Sequence, residues 1–214
     1  MKALKAIVSS FIFLVVCSSS LNAQSANTLL SEVAEKVKSY ENISIDFNYE
    51  LSNTAANSKE ETRGSVKLQD DKYVLDLFGG KVLFDGAKMY QISAEDEEIN
   101  ISSPSSDETL TPSNMLTFFE KGYNATMDIE QNVQGRKIQY VKLVPTNGGD
   151  EFKYILLGID KQTKHIYNQI ISQANGSEIT ITVTNFKTNQ PLSSTLFQFE
   201  KSKYSGYYIN NLDE

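Results

Sequence analysis

The stretch ISIDFNYEL, Ile43 to Leu51, sets the period of the chain. Ile43, Ile45, Phe47, Tyr49 and Leu51 alternate with Ser44, Asp46, Asn48 and Glu50. A period of two places the first set on one face of a β-strand and the second on the other. This strand is therefore dry on one side and wet on the other, the pattern of an antiparallel sheet with one solvated face.

Working outward, the flanking residues supply partners for that strand. NTAANSKEE, 53–61, is a polar turn region. TRGSVKLQDDKYVLDLFGGKVLFDGAKMYQI, 62–92, divides into three or four short strands at Gln69–Asp70–Asp71, Gly79–Gly80 and Asp85–Gly86. Ile99 and Ile101 mark another strand after the acidic turn AEDEE. Later candidates are Ala125–Glu130, Lys137–Val144, Phe152–Ile159, His165–Gln173, Glu178–Lys187 and Leu196–Phe199. Gly135, Asn147–Gly148–Gly149, Asp160–Lys161 and Asn175–Gly176 separate them. Roughly ten short strands at hairpin spacing predict a mainly β, antiparallel sheet or barrel.

Two segments break the period. From Ser25 to Tyr40, the residues Ala26, Leu29, Leu30, Val33, Ala34, Val37 and Tyr40 fall on one helical face, with Ser31, Glu32, Glu35, Lys36 and Lys38 opposite. TPSNMLTFFEKG, 111–122, has the marks of a short helix: Thr111 to cap it, Pro112 in its first turn and Gly122 to end it. Met115, Leu116, Phe118 and Phe119 crowd its middle. So short a helix is marginal in water and needs a surface to lie on.

Residues 1–23 read as a secretory signal peptide. Lys2 and Lys5 precede an apolar run to Cys17, and a polar segment follows with cleavage after Ala23. Leu21 departs from the small residue usual at the −3 position. A lipid anchor at Cys17 is the alternative, but Val16 fits a lipoprotein signal poorly. Cleavage after Ala23 removes the one cysteine, and with it disulfide and thiol chemistry. Residues 24–214 form a single domain, with no linker, repeat or shift of composition. Loss of Lys2 and Lys5 takes the formal charge from −7 to −9, which disfavours nucleic acid and anionic lipid surfaces.

No motif carries catalysis. His165 is the only histidine, and beside Lys164 it reads as a solvated residue at a strand start rather than as a general base. Asp96, Glu97 and Glu98 read as a solvated turn, without the ligand spacing of a calcium loop. Phosphate-loop and dinucleotide fingerprints are absent, and no metal or cofactor is expected. What remains is the apolar inventory. The dry face of the sheet must pack on the two helices. They either fill the space completely or enclose a cavity for an apolar ligand, and periodicity does not separate the two outcomes.

The order of the motifs resembles the LolA family of periplasmic outer-membrane lipoprotein carriers over nearly all of residues 24–214. The amphipathic helix runs into VKSYENISIDFNYEL; GSVKLQDDKYVLDL, VLFDGAKMYQI and LTPSNMLTFF follow; then come YVKLVPTN, FKYILLGIDKQTKHI, GSEITITVTNFKTNQPLSSTLFQFE and YSGYYI. The resemblance implies a strongly curved antiparallel sheet forming an incomplete barrel. An N-terminal amphipathic helix and a short lid helix at 112–120 plug it. It also implies a periplasmic, non-enzymatic monomer that takes up acylated lipoproteins at an inner-membrane release complex and yields them to an outer-membrane acceptor. A binding or sensing role toward another envelope lipid or glycolipid is the alternative. The basic corner that latches the lid in this family is here Gln69–Asp70–Asp71, and the chain has no tryptophan.

On that reading the cavity-facing residues are Leu29, Val33 and Val37 of the first helix, and Met115, Leu116 and Phe119 of the lid. From the strands come Ile45, Phe47, Tyr49, Val66, Leu68, Leu75, Leu77 and Ile181. The same residues would equally form an ordinary core.

Overall fold

The computed structural model describes residues 23–103, 114–147 and 152–213. The expected signal peptide up to residue 22, and the expected cap at Thr111 and Pro112, lie outside the described residues. Helix α1 covers residues 23–38. Its buried or half-buried residues are Ala23 and, from the expected face, Ala26, Leu29, Leu30, Val33, Ala34 and Val37; the helix was expected over 25–40, and Tyr40 lies two residues past its end.

Twelve strands follow: β1 (Ile43–Asn53), β2 (Ser58–Gln69), β3 (Lys72–Leu77), β4 (Gly80–Phe84), β5 (Met89–Ser93), β6 (Glu98–Ser102), β7 (Tyr123–Val133), β8 (Arg136–Pro145), β9 (Phe152–Asp160), β10 (Ile166–Gln173), β11 (Ser177–Thr188) and β12 (Tyr208–Asn211). They form one sheet in the order β12-β6-β5-β4-β3-β2-β1-β11-β10-β9-β8-β7. The sheet is long, curved and open rather than closed into a barrel, and every pairing but β12 with β6 is antiparallel. The first strand thus lies at the centre, paired along its whole length with both β2 and β11. A bulge at Asp46/Phe47 opposite β11, with Thr184 donating to the Asp46 carbonyl, adds local twist to this central pair.

Three sequence expectations are corrected. First, 114–120 is not an α-helix: it is a run of turns ending in one 3-10 turn, Phe118–Glu120, closed by Glu120 N–H donating to the Thr117 carbonyl. A run this short repays a costly helical nucleus poorly, and its apolar side chains Leu116 and Phe119 are buried in the core cluster instead. Second, Leu196–Phe199 is not a strand. Phe197 packs on Val74 and Leu83, on the face of β3 and β4 turned away from Tyr73 and Leu75. The C-terminal segment is therefore a strap over the outer face of the sheet. Tyr90, Phe199 and Tyr204 stack in succession along it, with ring centroids 4.4 and 5.6 Å apart. Third, the polar turn between β1 and β2 is only residues 54–57, and both strands run well into the expected loop.

The turn between β3 and β4 is also unusual. Phe78 and Gly79 both have positive φ, 53° and 74°. A two-residue hairpin of that kind favours Asn-Gly. An aromatic residue in the left-handed region costs roughly 1–2 kcal/mol.

Phe47 lies directly opposite Gly64 in the β1–β2 pairing, and its ring covers the glycine so closely that a Cβ there would overlap it. Gly64→Ala should therefore destabilise the fold by about 1–3 kcal/mol through displacement of the ring. Urea denaturation measures this, and an unchanged midpoint would show that the Phe47 ring moves freely.

Candidate functional site

The inner face of β1, β2 and β3, with β10 and β11, surrounds an apolar cavity of about 80 Å³. Ile45 and Phe47 of β1, Val66 and Leu68 of β2, Leu75 of β3 and Ile181 of β11 line it, together with Met115 and Leu116 of the 114–120 segment. These are eight of the residues expected to face a cavity. Ile166, Gln169 and Val183 complete the lining and were not foreseen. The remaining six, Leu29, Val33, Val37, Tyr49, Leu77 and Phe119, pack into the same apolar cluster without lining the space.

Two of the missed residues share a cause. The register between β9 and β10 shifts between Ile166 and Asn168. That irregularity lets Ile166 and Gln169 line the same space, although strict alternation would put them on opposite faces. Val183 is different: it lies two residues from Ile181 in unbroken register, so the alternation of β11 itself carried the signal.

Residues 114–120 act as a lid over this space. Leu116 and Phe119 are buried against the sheet, and Phe118 meets Phe119 and Tyr123 edge-on at 5.7 and 5.4 Å. Among the described residues, polar contacts reach the lid from the sheet and from α1. Gln169, only 7 % exposed, donates from Nε2 to the Met115 carbonyl at 3.3 Å. At the rim, Lys38 of α1 meets Glu120 at 2.6 Å, with both side chains largely in water. The rim pair contributes little, because exposed ion pairs are worth about 0–1 kcal/mol. Gln169 is the only polar side chain lining the cavity among the described residues. The Gln69–Asp70–Asp71 corner turns the chain tightly, with Asp70 at φ 52°.

His165 differs from its expected place in solvent. It precedes β10, is half-buried and stacks on Phe186 with centroids 4.1 Å apart. Its Nε2 lies 2.7 Å from the Tyr40 hydroxyl, so it joins the end of α1 to the sheet. Burial, and then the nearby Lys36 ammonium, push its pKa below the ordinary value, while Asp160 opposes them. Asp96 and Glu97 lie in an exposed turn, as expected, whereas Glu98 is not in the turn but is the half-buried first residue of β6. Among the described residues, no group of three metal-ligating side chains is placed to hold an ion.

An open sheet wraps an apolar space beneath a small cover, and the side chains lining it among the described residues are apolar apart from Gln169. The chain belongs to the LolA family: the model described as outer membrane lipoprotein carrier protein LolA matches residues 38–200. That places it among carrier and binding proteins rather than enzymes. The family is periplasmic, and among the described residues no helix is long and apolar enough to cross a membrane.

Solved structures share the fold at low identity. An uncharacterized conserved protein from Thermus thermophilus is 10% identical, with TM-score 0.55, over 87% of this chain and 99% of that one. LprF from Mycobacterium bovis is 15% identical, with TM-score 0.50, over 80% and 96%. No curated protein matches the sequence.

Two outcomes test the site. Gln169→Leu removes the lid's buried polar tie, whose net contribution is about 0.5–1.5 kcal/mol. Amide hydrogen exchange over 114–120 should accelerate roughly 2- to 13-fold, while global stability changes little; unaltered exchange would show that apolar contacts alone hold the lid. The second outcome concerns His165. Its folded pKa is lowered, so the fold favours the neutral ring. That stabilisation is present above the ordinary histidine pKa, near 6.5, and is lost as pH falls through the lowered value. Between pH 7 and 5 the melting temperature of the protein should fall more than that of His165→Gln; parallel pH profiles would refute the assignment.

Proposed function

We propose that this protein carries the acyl chains of lipoproteins in the cavity beneath residues 114–120 and moves them through the periplasm from the inner to the outer membrane. The observation that carries this reading is the cavity: apolar apart from Gln169, and covered by a segment with one buried polar tie. Family membership supplies the ligand class. The proposed acyl contacts are the eight expected residues that line the space, with Ile166 and Val183 added. Leu29, Val33, Val37, Tyr49, Leu77 and Phe119 would join them once the lid moves. Cleavage after Ala23, a monomeric state, an inner-membrane release complex and an outer-membrane acceptor belong to the same proposal.

The energetics fit a carrier. Each buried methylene contributes about 0.8 kcal/mol. At about 80 Å³ the cavity is smaller than the roughly 150 Å³ void that binds benzene. The described state is thus the closed one, and an acyl chain enters only as the lid is displaced. A lid whose opening costs a few kcal/mol lets ligand and receiver shift the balance in turn. Met115 suits both states, because an unbranched thioether repacks readily.

A second reading, a binding or sensing role toward another envelope lipid or glycolipid, is favoured by the Gln69–Asp70–Asp71 corner, which lacks the family's cation.

Native mass spectrometry of the protein purified from its host, before and after delipidation, separates the readings. Mass increments of intact lipoproteins are expected, and increments of a free lipid class would favour the second reading. Consistent absence of any acylated species would sink both. Val66→Trp, which fills the cavity, should reduce the bound fraction at least tenfold without unfolding the sheet.

A further inference from the structure

We propose that the Phe78 hairpin tip is a contact site for a neutral lipid bilayer surface. Isolated exposed apolar residues are ordinary on protein surfaces. This one is set apart by its backbone. Phe78 is 62 % exposed at a position of φ 53°, where asparagine or glycine would relieve the strain. A sequence that breaks a local rule without gaining burial marks a position held for another reason.

The tip is also continuous with the cavity. Ile45 and Phe47 line the cavity, and Tyr49 is the next residue of β1 on the same face. The Tyr49 ring meets Phe78 edge-on at 5.1 Å. Phe47 also reaches an open groove beside Leu77, Gly79 and Gly80 of the same hairpin, whose polar rim holds Asp46, Arg63 and Asp76, one cation among two carboxylates before Lys81 balances Asp76. An aromatic track therefore runs from the apolar interior to solvent, and the exposed ring stands at its outer end.

Charge selects the partner. Residues 78–80 carry none, and the flanking Asp76 and Lys81 neutralise each other at 2.9 Å. The chain as a whole is at −7, which opposes anionic surfaces. A bilayer of zwitterionic lipid meets no such repulsion, and an aromatic ring settles at its interface. The inference concerns docking alone and stands whether or not the cavity carries lipoproteins.

The chain contains no tryptophan, so one introduced indole reports on one site. Phe78→Trp in the full-length protein is mixed with phosphatidylcholine vesicles containing brominated phosphatidylcholine. Ile129→Trp is the control, since Ile129 is also exposed, at 56 %, but lies on the edge strand β7. The expected result is a blue shift and quenching at position 78 and neither at position 129, unaffected by added salt. Phe78→Asn should weaken vesicle association at least tenfold and leave the melting temperature equal or higher. No quenching at 78, equal quenching at both sites, association only with anionic vesicles or full association by Phe78→Asn would each overturn the proposal. A lowered melting temperature for Phe78→Asn would also overturn it, making the ring a strut for Tyr49.

Discussion

The dry face of β1 is the constraint on which the rest of the molecule depends. An open sheet cannot bury that face against itself, as a closed barrel does, so it must be covered from outside. Helix α1 covers one part with Ala26, Leu30, Val33 and Ala34, and residues 114–120 cover another with Leu116 and Phe119. Burial of each large apolar side chain is worth about 1.5–3 kcal/mol. Residues 114–120 are therefore held where a free peptide of that length would not keep a structure. The ties at the rim, Lys38 to Glu120 and Lys164 to Glu32, follow from that placement and do not cause it.

Stability is consequently uneven. Val141, Leu143, Leu157 and Ile159 of β8 and β9 are fully enclosed. Around the cavity, by contrast, Met115, Leu75, Ile181 and Val183 are only half-buried. A local opening there uncovers Leu116 and the buried lining residues Ile45, Phe47, Val66 and Leu68 but leaves the β8–β9 core in place, so it costs less than global unfolding. A rigid half that keeps the sheet curved and a loose half that opens suit a site whose occupant must leave as readily as it enters.

Much of this was legible in the sequence. The alternation Ile43–Leu51 fixes which face of the central strand is dry, and the apolar face of α1 emerges as expected except that Tyr40 lies beyond the helix end. The break between β2 and β3 falls at Asp70–Asp71 as expected, while the one between β3 and β4 falls at Phe78–Gly79, one residue before the expected Gly79–Gly80, and Gly80 opens β4. The failures have physical causes. LFQF alternates like a strand, but Phe197 found the outer face of β3 and β4 before any strand edge. YINN of β12 has too little apolar content to signal a strand and is held by pairing with β6. Ile166 and Gln169 were missed at the cavity because an irregularity changes the facing of a strand without changing its composition, whereas Val183 follows from Ile181 by alternation alone. His165 looked solvated because its cover, Tyr40 and Phe186, is distant in sequence.

The identity of the latch has a consequence for exchange. A cation tied to the lid would be left unpaired beside apolar chains on opening, at a cost of several kcal/mol. A neutral amide left unpaired costs about 1–3 kcal/mol, and Gln169 keeps only that penalty. Its bond is between uncharged groups, so salt screens it little. With acidic residues in the Gln69–Asp70–Asp71 corner, no charge on that turn attracts the Met115 carbonyl. Among the described residues, the Gln169 amide is thus the one buried polar side chain of the cavity lining that holds residues 114–120, and apolar contact supplies the rest of what keeps Leu116 and Phe119 in place.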